Sequence, residues 1–211
     1  MKIAIIGSGR VGGTLGSRWA KNGHTVCFGS RDPESEKMQI LLGESGATAS
    51  AHSPAQAAAQ SEVILLATPW SATQEILNNL GNINGKVLVD ATNPIGPDGQ
   101  LTHGHTTSGA EQVARWADGA RVVKAFNSTG AGNMGNPDYH GQKPAMFLCG
   151  NDDGACQVVS GLAAELGFDP IIAGDLSMAR VLEPLAMLWI RLAYTRGMGA
   201  DIAFSLLRRQ A

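Results

Sequence analysis

The chain has 211 residues, 44% of them hydrophobic and 16% charged, with a formal net charge of −2. That length and balance allow one sizeable folded core. The near-neutral charge excludes a global positive field for nucleic acid or anionic membrane. The longest apolar stretch near the end, residues 184–194, is broken by Arg191, short of the roughly 18–20 residues a membrane span needs. Three cysteines without close spacing point to buried thiols in the cytoplasm, with no disulfide framework and no metal site.

In chain order, residues 2–7 form a near-continuous apolar run, as in a strand covered on both faces. A helix over 11–22 follows, with Leu15, Trp19 and Ala20 on its inner side and Asn22-Gly23 as its stop. Strand 25–29, helix 34–42 behind Pro33 and a short strand over 47–49 come next. Ser53-Pro54 opens an alanine-rich helix running into Glu62, because proline is suited to the first helical position. Strand 63–67, helix 72–80 and strand 86–90 continue the alternation.

Residues 93–105 are rich in Gly, Pro and Thr with no apolar period, which marks a long loop of the kind that carries function. Helix 108–117, strand 121–126 and a glycine-rich loop over 127–143 follow. Strand 145–150, helix 153–166 and strand 170–173 lead into a long helical region over 178–207. Alternating strands and helices specify an α/β fold, a doubly wound, mostly parallel sheet of Rossmann type with extra C-terminal strands and a long C-terminal helical region. No linker divides the chain, so one domain is expected over 1–211, with a core at 1–126 and acceptor-side loops, strands and helices at 127–211.

Gly7-Ser8-Gly9-Arg10-Val11-Gly12 matches G-x-G-x-x-G directly after the first strand and at the head of the first helix. Gly7 permits the tight turn, Gly9 lets a pyrophosphate approach the backbone, and Gly12 lets helix and strand pack closely. The free N–H groups and positive end of the helix then face the phosphates. An NAD site places an acid at the end of the second strand, for the ribose 2′-hydroxyl. Here Gly29 is followed by Ser30 and Arg31, a hydroxyl and a guanidinium suited to the 2′-phosphate of NADP. Asp32 is the alternative: a register two residues further on would make it the ribose acid and the cofactor NAD.

The glycine turn, Gly29-Ser30-Arg31, Thr68-Pro69-Trp70, residues 123–127, residues 148–152 and Ala173-Gly174-Asp175-Leu176 together resemble the NADP-dependent oxidoreductases of the coenzyme F420 (deazaflavin) reductase family. Relatives of that family include the cytosolic reductase domain of the STEAP metalloreductases. The resemblance implies that Ser8, Gly9, Arg10 and Val11 hold the pyrophosphate, and Ser30 and Arg31 the 2′-phosphate. It implies Thr68, Pro69 and Trp70 along the path from adenosine to nicotinamide. Asn93, Ile95 and Ala131 would line the nicotinamide end, with Asn127 close by. Residues 124–129 look closer to the metalloreductase domain, and the loop 133–143 is expected to shape the acceptor pocket.

The function so implied is hydride transfer between NADP(H) and coenzyme F420 or a flavin-like acceptor. Two alternatives stand beside it: reduction of another small substrate, flavin or ferric iron, and NADP(H) sensing without turnover. The cofactors carry such chemistry, so no catalytic base is assigned. Trp70, Asn93, Phe126 and Asn127 are expected to form the face on which the rings stack, and Lys124 is expected to be structural. Part of the apolar stripe Leu185, Leu188, Trp189, Leu192 and Ala193 suits a homodimer contact.

Overall fold

A computed structural model describes residues 1–209. Residues 210 and 211, the last two of the domain expected over 1–211, lie outside the described residues. In chain order the elements are β1 (Lys2–Ile6), α1 (Arg10–Lys21), β2 (Thr25–Gly29), α2 (Glu36–Ser45), β3 (Ala49–His52), α3 (Pro54–Gln60) and β4 (Val63–Leu66). Then come α4 (Trp70–Asn78), β5 (Val87–Asp90), α5 (Gly109–Trp116), β6 (Arg121–Lys124) and α6 (Ala131–Gly135). The chain ends with β7 (Ala145–Gly150), α7 (Asp153–Glu165), β8 (Asp169–Ile172) and α8 (Ala179–Ile190).

The eight strands form one sheet in the order β3-β2-β1-β4-β5-β6-β7-β8. Its first six positions reproduce the 3-2-1-4-5-6 order of doubly wound dinucleotide-binding sheets. All pairings are parallel except β6 with β7, where Val123 faces Gly150. That reversal turns the carboxyl end of β7 away from the edge where β1, β4, β5 and β6 end.

The strand alternation sorts the core into two layers. Ile3 and Ile5 point to the side covered by α1 and α7, whereas Ala4 and Ile6 point to the side covered by α3, α5 and α8. Trp19 of α1 is fully buried in the first layer, and its indole N–H donates to the Leu162 carbonyl of α7 at 3.2 Å. Helix α3 begins as expected at Ser53-Pro54, with a reciprocal cap: Ser53 Oγ accepts from the Gln56 N–H, and Gln56 Oε1 accepts from the Ser53 N–H.

Three expectations are corrected. The third strand lies at Ala49–His52, not 47–49, because it registers against Val26–Gly29 of β2. The loop over 127–143 contains the short helix α6, whose Met134 is buried against the first layer. The last helical region stops well before 207: α8 passes into a π-helical turn at Arg191–Thr195 and ends there. Gly197 and Gly199, at φ of 70° and 84°, turn the chain back. The tail then meets the start of β7, where the Ala145 N–H donates to the Phe204 carbonyl at 2.8 Å.

Candidate functional site

The glycine turn is built as its spacing requires. Gly7 has φ of 104°, and a Cβ there would lie 2.4 Å from the Ala67 carbonyl oxygen. A Cβ on Gly12 would lie 2.0 Å from the Gly7 oxygen, so the helix can approach the strand only without a side chain. Gly9 is different: nothing lies within 4 Å of the place its Cβ would occupy. Gly9 is also the N-cap of α1 and supplies no capping side chain. The first-turn N–H groups at Arg10, Val11 and Gly12 therefore open onto free space beside Gly9 and Ser8, with the helix dipole behind them.

A cavity of about 600 Å³ runs from this turn across the ends of β1, β2 and β4. Its walls bring together Gly7, Gly29, Arg31, Pro54, Thr68 and Pro69. Ser30 is fixed by its backbone N–H, which donates to the His52 carbonyl, while its Oγ bonds Asp32 main-chain atoms at 2.9 and 3.1 Å. Arg31 is exposed and lines the cavity; Asp32 is exposed and does not. Thr68 is pinned through a 2.9 Å hydroxyl contact with Thr73.

A second group lies over the ends of β5 and β6. Asn93 Nδ2 donates to the Asn127 carbonyl at 3.0 Å, and Asn127 Nδ2 donates to Asn93 Oδ1 at 3.1 Å and to the Leu182 carbonyl at 3.0 Å. Asn127 is 5% exposed, and its Oδ1 has no hydrogen-bond partner among the described residues. A buried amide oxygen left alone is costly, so it marks a place where a donor from outside the chain fits. Phe126, just before Asn127, holds φ of 57°, a left-handed conformation rare for a bulky residue, and bends the chain as it leaves β6. Ile95 is tied into the hairpin-like loop by a bridge to Leu101, and Ala131 opens α6.

The two aromatic residues of the expected stacking face are placed differently, and Phe126 lies away from it. The Phe126 ring is 1% exposed and packs edge-on to Trp19 and Phe168, at 5.7 and 6.4 Å, inside the first core layer. The left-handed backbone at Phe126 accompanies a ring directed into the core, with Asn127 turned to Asn93 and Leu182. Trp70 begins α4 and stacks on Trp116 at 5.3 Å with His103 at 5.5 Å, and it does not line the cavity.

Sequence reasoning missed a buried charge cluster. Lys124 Nζ donates to Asp90 Oδ2 at 3.0 Å and to the Thr92 carbonyl at 2.5 Å, and lies 3.0 Å from Glu183 Oε1. Burial alone would lower the pKa of this lysine, but Asp90 and Glu183 outweigh it and hold it above its usual range. Lys124 is therefore a fixed ammonium, which agrees with a structural role. The only sequence signal was a pair of adjacent apolar strands each ending on a charge, Asp90 and Lys124. Cys149, buried nearby, has its thiol pushed up to about 12 mainly by burial, so it is not a thiolate nucleophile at neutral pH.

The open Gly9 cradle, the cavity with Arg31 on its wall and the orphaned Asn127 oxygen fit a phosphorylated dinucleotide laid along the carboxyl ends of the strands. Comparison with known proteins agrees. Residues 2–94 match the family described as "NADP oxidoreductase coenzyme F420-dependent". The "F420-dependent NADP reductase" of Methanothermobacter marburgensis is 33% identical over 91% of this chain and 92% of its own length. "Metalloreductase STEAP3" of Rattus norvegicus is 30% identical over 88% of this chain, which spans only 36% of that protein. A crystal structure described as a putative F420-dependent NADP reductase from Arthrobacter sp. FB24 superposes with a TM-score of 0.89 at 34% identity, covering 99% of this chain and 100% of its own. An imine reductase of Myxococcus stipitatus, 18% identical with a TM-score of 0.66 over 93% of this chain and 62% of its own, shares the fold. The chain belongs to the family of coenzyme F420-dependent NADP oxidoreductases.

Proposed function

We propose that the chain transfers a hydride between NADP(H) and a deazaflavin of the coenzyme F420 type. Residues 1–126 hold the dinucleotide and residues 127–211 shape the acceptor side. The observation that carries this reading is the cavity wall shared by the glycine turn and Arg31, in a chain similar along almost its whole length to an archaeal F420-dependent reductase.

The N–H groups of Ser8, Gly9, Arg10 and Val11 take the pyrophosphate, and Ser30 and Arg31 take the 2′-phosphate through charge-assisted bonds. Thr68, Pro69 and Trp70 border the path between the two ends, and Ile95 and Ala131 flank the nicotinamide end. Asn127 Oδ1 accepts from the nicotinamide carboxamide, steadied by its bonds to Asn93 and Leu182. The nicotinamide supplies the hydride, and the chain supplies orientation and exclusion of water. No general acid is assigned, since Lys124 is committed to Asp90, Glu183 and the Thr92 carbonyl.

Likeness to the rat metalloreductase supports a second reading, reduction of flavin or ferric iron. NADPH oxidation measured in parallel with coenzyme F420, flavin mononucleotide and ferric chelates separates the two. Turnover with F420 above the others is expected; turnover with flavin or iron alone would sink the deazaflavin reading and leave the cofactor site standing.

The protein works as a homodimer in the cytoplasm on this reading. Val181 and Leu188 on α8 are 56% and 48% exposed, and Tyr194 beyond them is 64% exposed, an apolar face suited to a two-fold contact. Cys27, Cys149 and Cys156 are free and buried, as suits a reducing compartment. Among the described residues no helix is long and apolar enough to cross a membrane.

A further inference from the structure

Asp90, Lys124 and Glu183 meet at the ends of β5 and β6 with no solvent exposure at all. Every carboxylate oxygen in the cluster accepts from a donor. Asp90 Oδ1 takes the Thr92 N–H and hydroxyl at 2.9 and 2.7 Å, and Oδ2 takes Lys124. Glu183 Oε2 takes the Gly109 N–H at 2.8 Å, and Oε1 takes the Ala110 N–H at 3.0 Å together with Lys124. Hydrogen bonds from N–H, O–H and ammonium donors favour the charged form of a carboxylate. Two carboxylates against one ammonium leave one negative charge in excess, in part offset by the N-terminal dipole of α5 at Glu183.

An odd charge in a dry interior is expensive, and an apolar trio would pack there at less cost. This one is tied to the asparagine pair through the chain. Asp90 holds Thr92, the neighbour of Asn93; Lys124 precedes Asn127 by three residues, and Asn127 Nδ2 donates to the carbonyl of Leu182, the neighbour of Glu183. We infer that the excess negative charge of the Asp90–Lys124–Glu183 cluster stabilises the nicotinamide ring in its cationic, oxidised form, so that the site favours NADP⁺ over NADPH more than a neutral site would. The inference rests on the assignment of Asn93 and Asn127 to the nicotinamide end. Its consequence for the reaction is directional. The nicotinamide C–H bond breaks, the hydride joins the acceptor with both electrons, the acceptor takes one proton from water, and the ring gains the positive charge that the cluster attracts. A unit charge about 10 Å away, at an effective dielectric of about 20, changes a binding ratio by a factor on the order of ten.

Binding of NADPH and of NADP⁺ is measured separately by fluorescence or calorimetric titration, without acceptor, and the ratio of the two Kd values is read. Glu183→Gln removes the excess charge and is expected to shift the ratio about tenfold toward NADPH. Thr92→Val, which removes a hydroxyl bond to Asp90 without changing the charge, is expected to leave the ratio at the wild-type value even where both affinities fall. Packing damage alone would weaken both ligands together. Should Glu183→Gln fail to fold, Asp90→Asn makes the same charge change from the other side of Lys124. An unchanged ratio in the folded variants overturns the inference while leaving the cofactor assignment intact. Failure of the wild-type protein to bind either nucleotide overturns that assignment and the inference with it.

Discussion

The two halves of the molecule hold their polar groups by different means. From β1 to β4 the side chains beside the cavity have partners near in sequence: Ser53 caps with Gln56, Ser30 bonds Asp32, and Thr68 bonds Thr73. Beyond β6 several partners are far apart. Glu183 accepts from Gly109 and Ala110, Trp189 Nε1 donates to the Ile202 carbonyl, and Asn133 reaches the Ala200 and Ile202 carbonyls. Arg18 of α1 donates to the carbonyls of Gly135 and Leu166. Local pairs thus fix the side chains around the glycine-turn cavity, and long-range bonds tie the segment beyond β6 back onto the rest of the chain. Changes at open positions such as Gly9 and Arg31 should act on the cofactor alone, and changes at packed positions and at the seam should act on stability.

The hardest test of that division lies within one turn. Gly12→Ala forces a methyl group to 2.0 Å from the Gly7 oxygen and 3.0 Å from Ile5 Cγ2, both held by the core. About 3 kcal/mol of stability should be lost together with nucleotide binding, read by chemical denaturation and titration. Gly9→Ala meets nothing within 4 Å, so the protein should unfold at the wild-type denaturant concentration. It should nonetheless bind NADPH poorly, because the methyl occupies the phosphates' approach. Equal stability loss in both variants would mean that the turn is only a packing device.

This contrast also explains what was legible beforehand. The turn at Gly7 to Gly12, the Ser53-Pro54 helix start and the first-layer residues Leu15 and Trp19 follow from spacing alone, since each depends on neighbours within one or two turns. The cluster of Asp90, Lys124 and Glu183 could not be read that way. Its members lie on three elements, and Glu183 sits in an apolar helical run beside Pro184. The tail failed for a similar reason: residues 196–209 have helix-compatible composition, but Gly197 and Gly199 and the anchors at Trp189 and Asn133 decide their path. Phe126 shows the limit most sharply. The same residue that suited a stacking role by position is turned into the core, with a backbone angle no pattern announces.

Arg31 tests whether the local half chooses the cofactor. It stands on the wall of a cavity that Asp32 does not line; the carboxylate that does, among the described residues, is Glu75 of α4. Charge-assisted bonds to a phosphate contribute about 1.5–3 kcal/mol, so Arg31→Ala should raise the Kd for NADPH roughly 10- to 100-fold. The Kd for NADH should stay close to that of the wild type. Equal loss for the two nucleotides would place the 2′-phosphate elsewhere and return the register in which Asp32 reads the ribose.

The smallest effect is expected at the seam between the halves, where Arg180 of α8 bonds Glu111 of α5 at 2.6 and 2.9 Å. The hydrogen bond from Arg180 is the main reason that the Glu111 carboxyl lies below its ordinary value of 4.5; burial opposes it and the Ser108 hydroxyl assists. A carboxyl whose pKa is depressed by folding stabilises the folded state fully above the unfolded value, and that contribution fades as pH falls through the lower folded one. The Arg180 side chain is 36% exposed, so solvent screens the pair and its worth is modest. Arg180→Gln should therefore lower the melting temperature slightly at pH 7, and the two melting curves should converge as pH falls below 4.5. A gap that stays constant across that range would assign the effect to packing of the arginine stem against α5 and remove the ion pair from the seam.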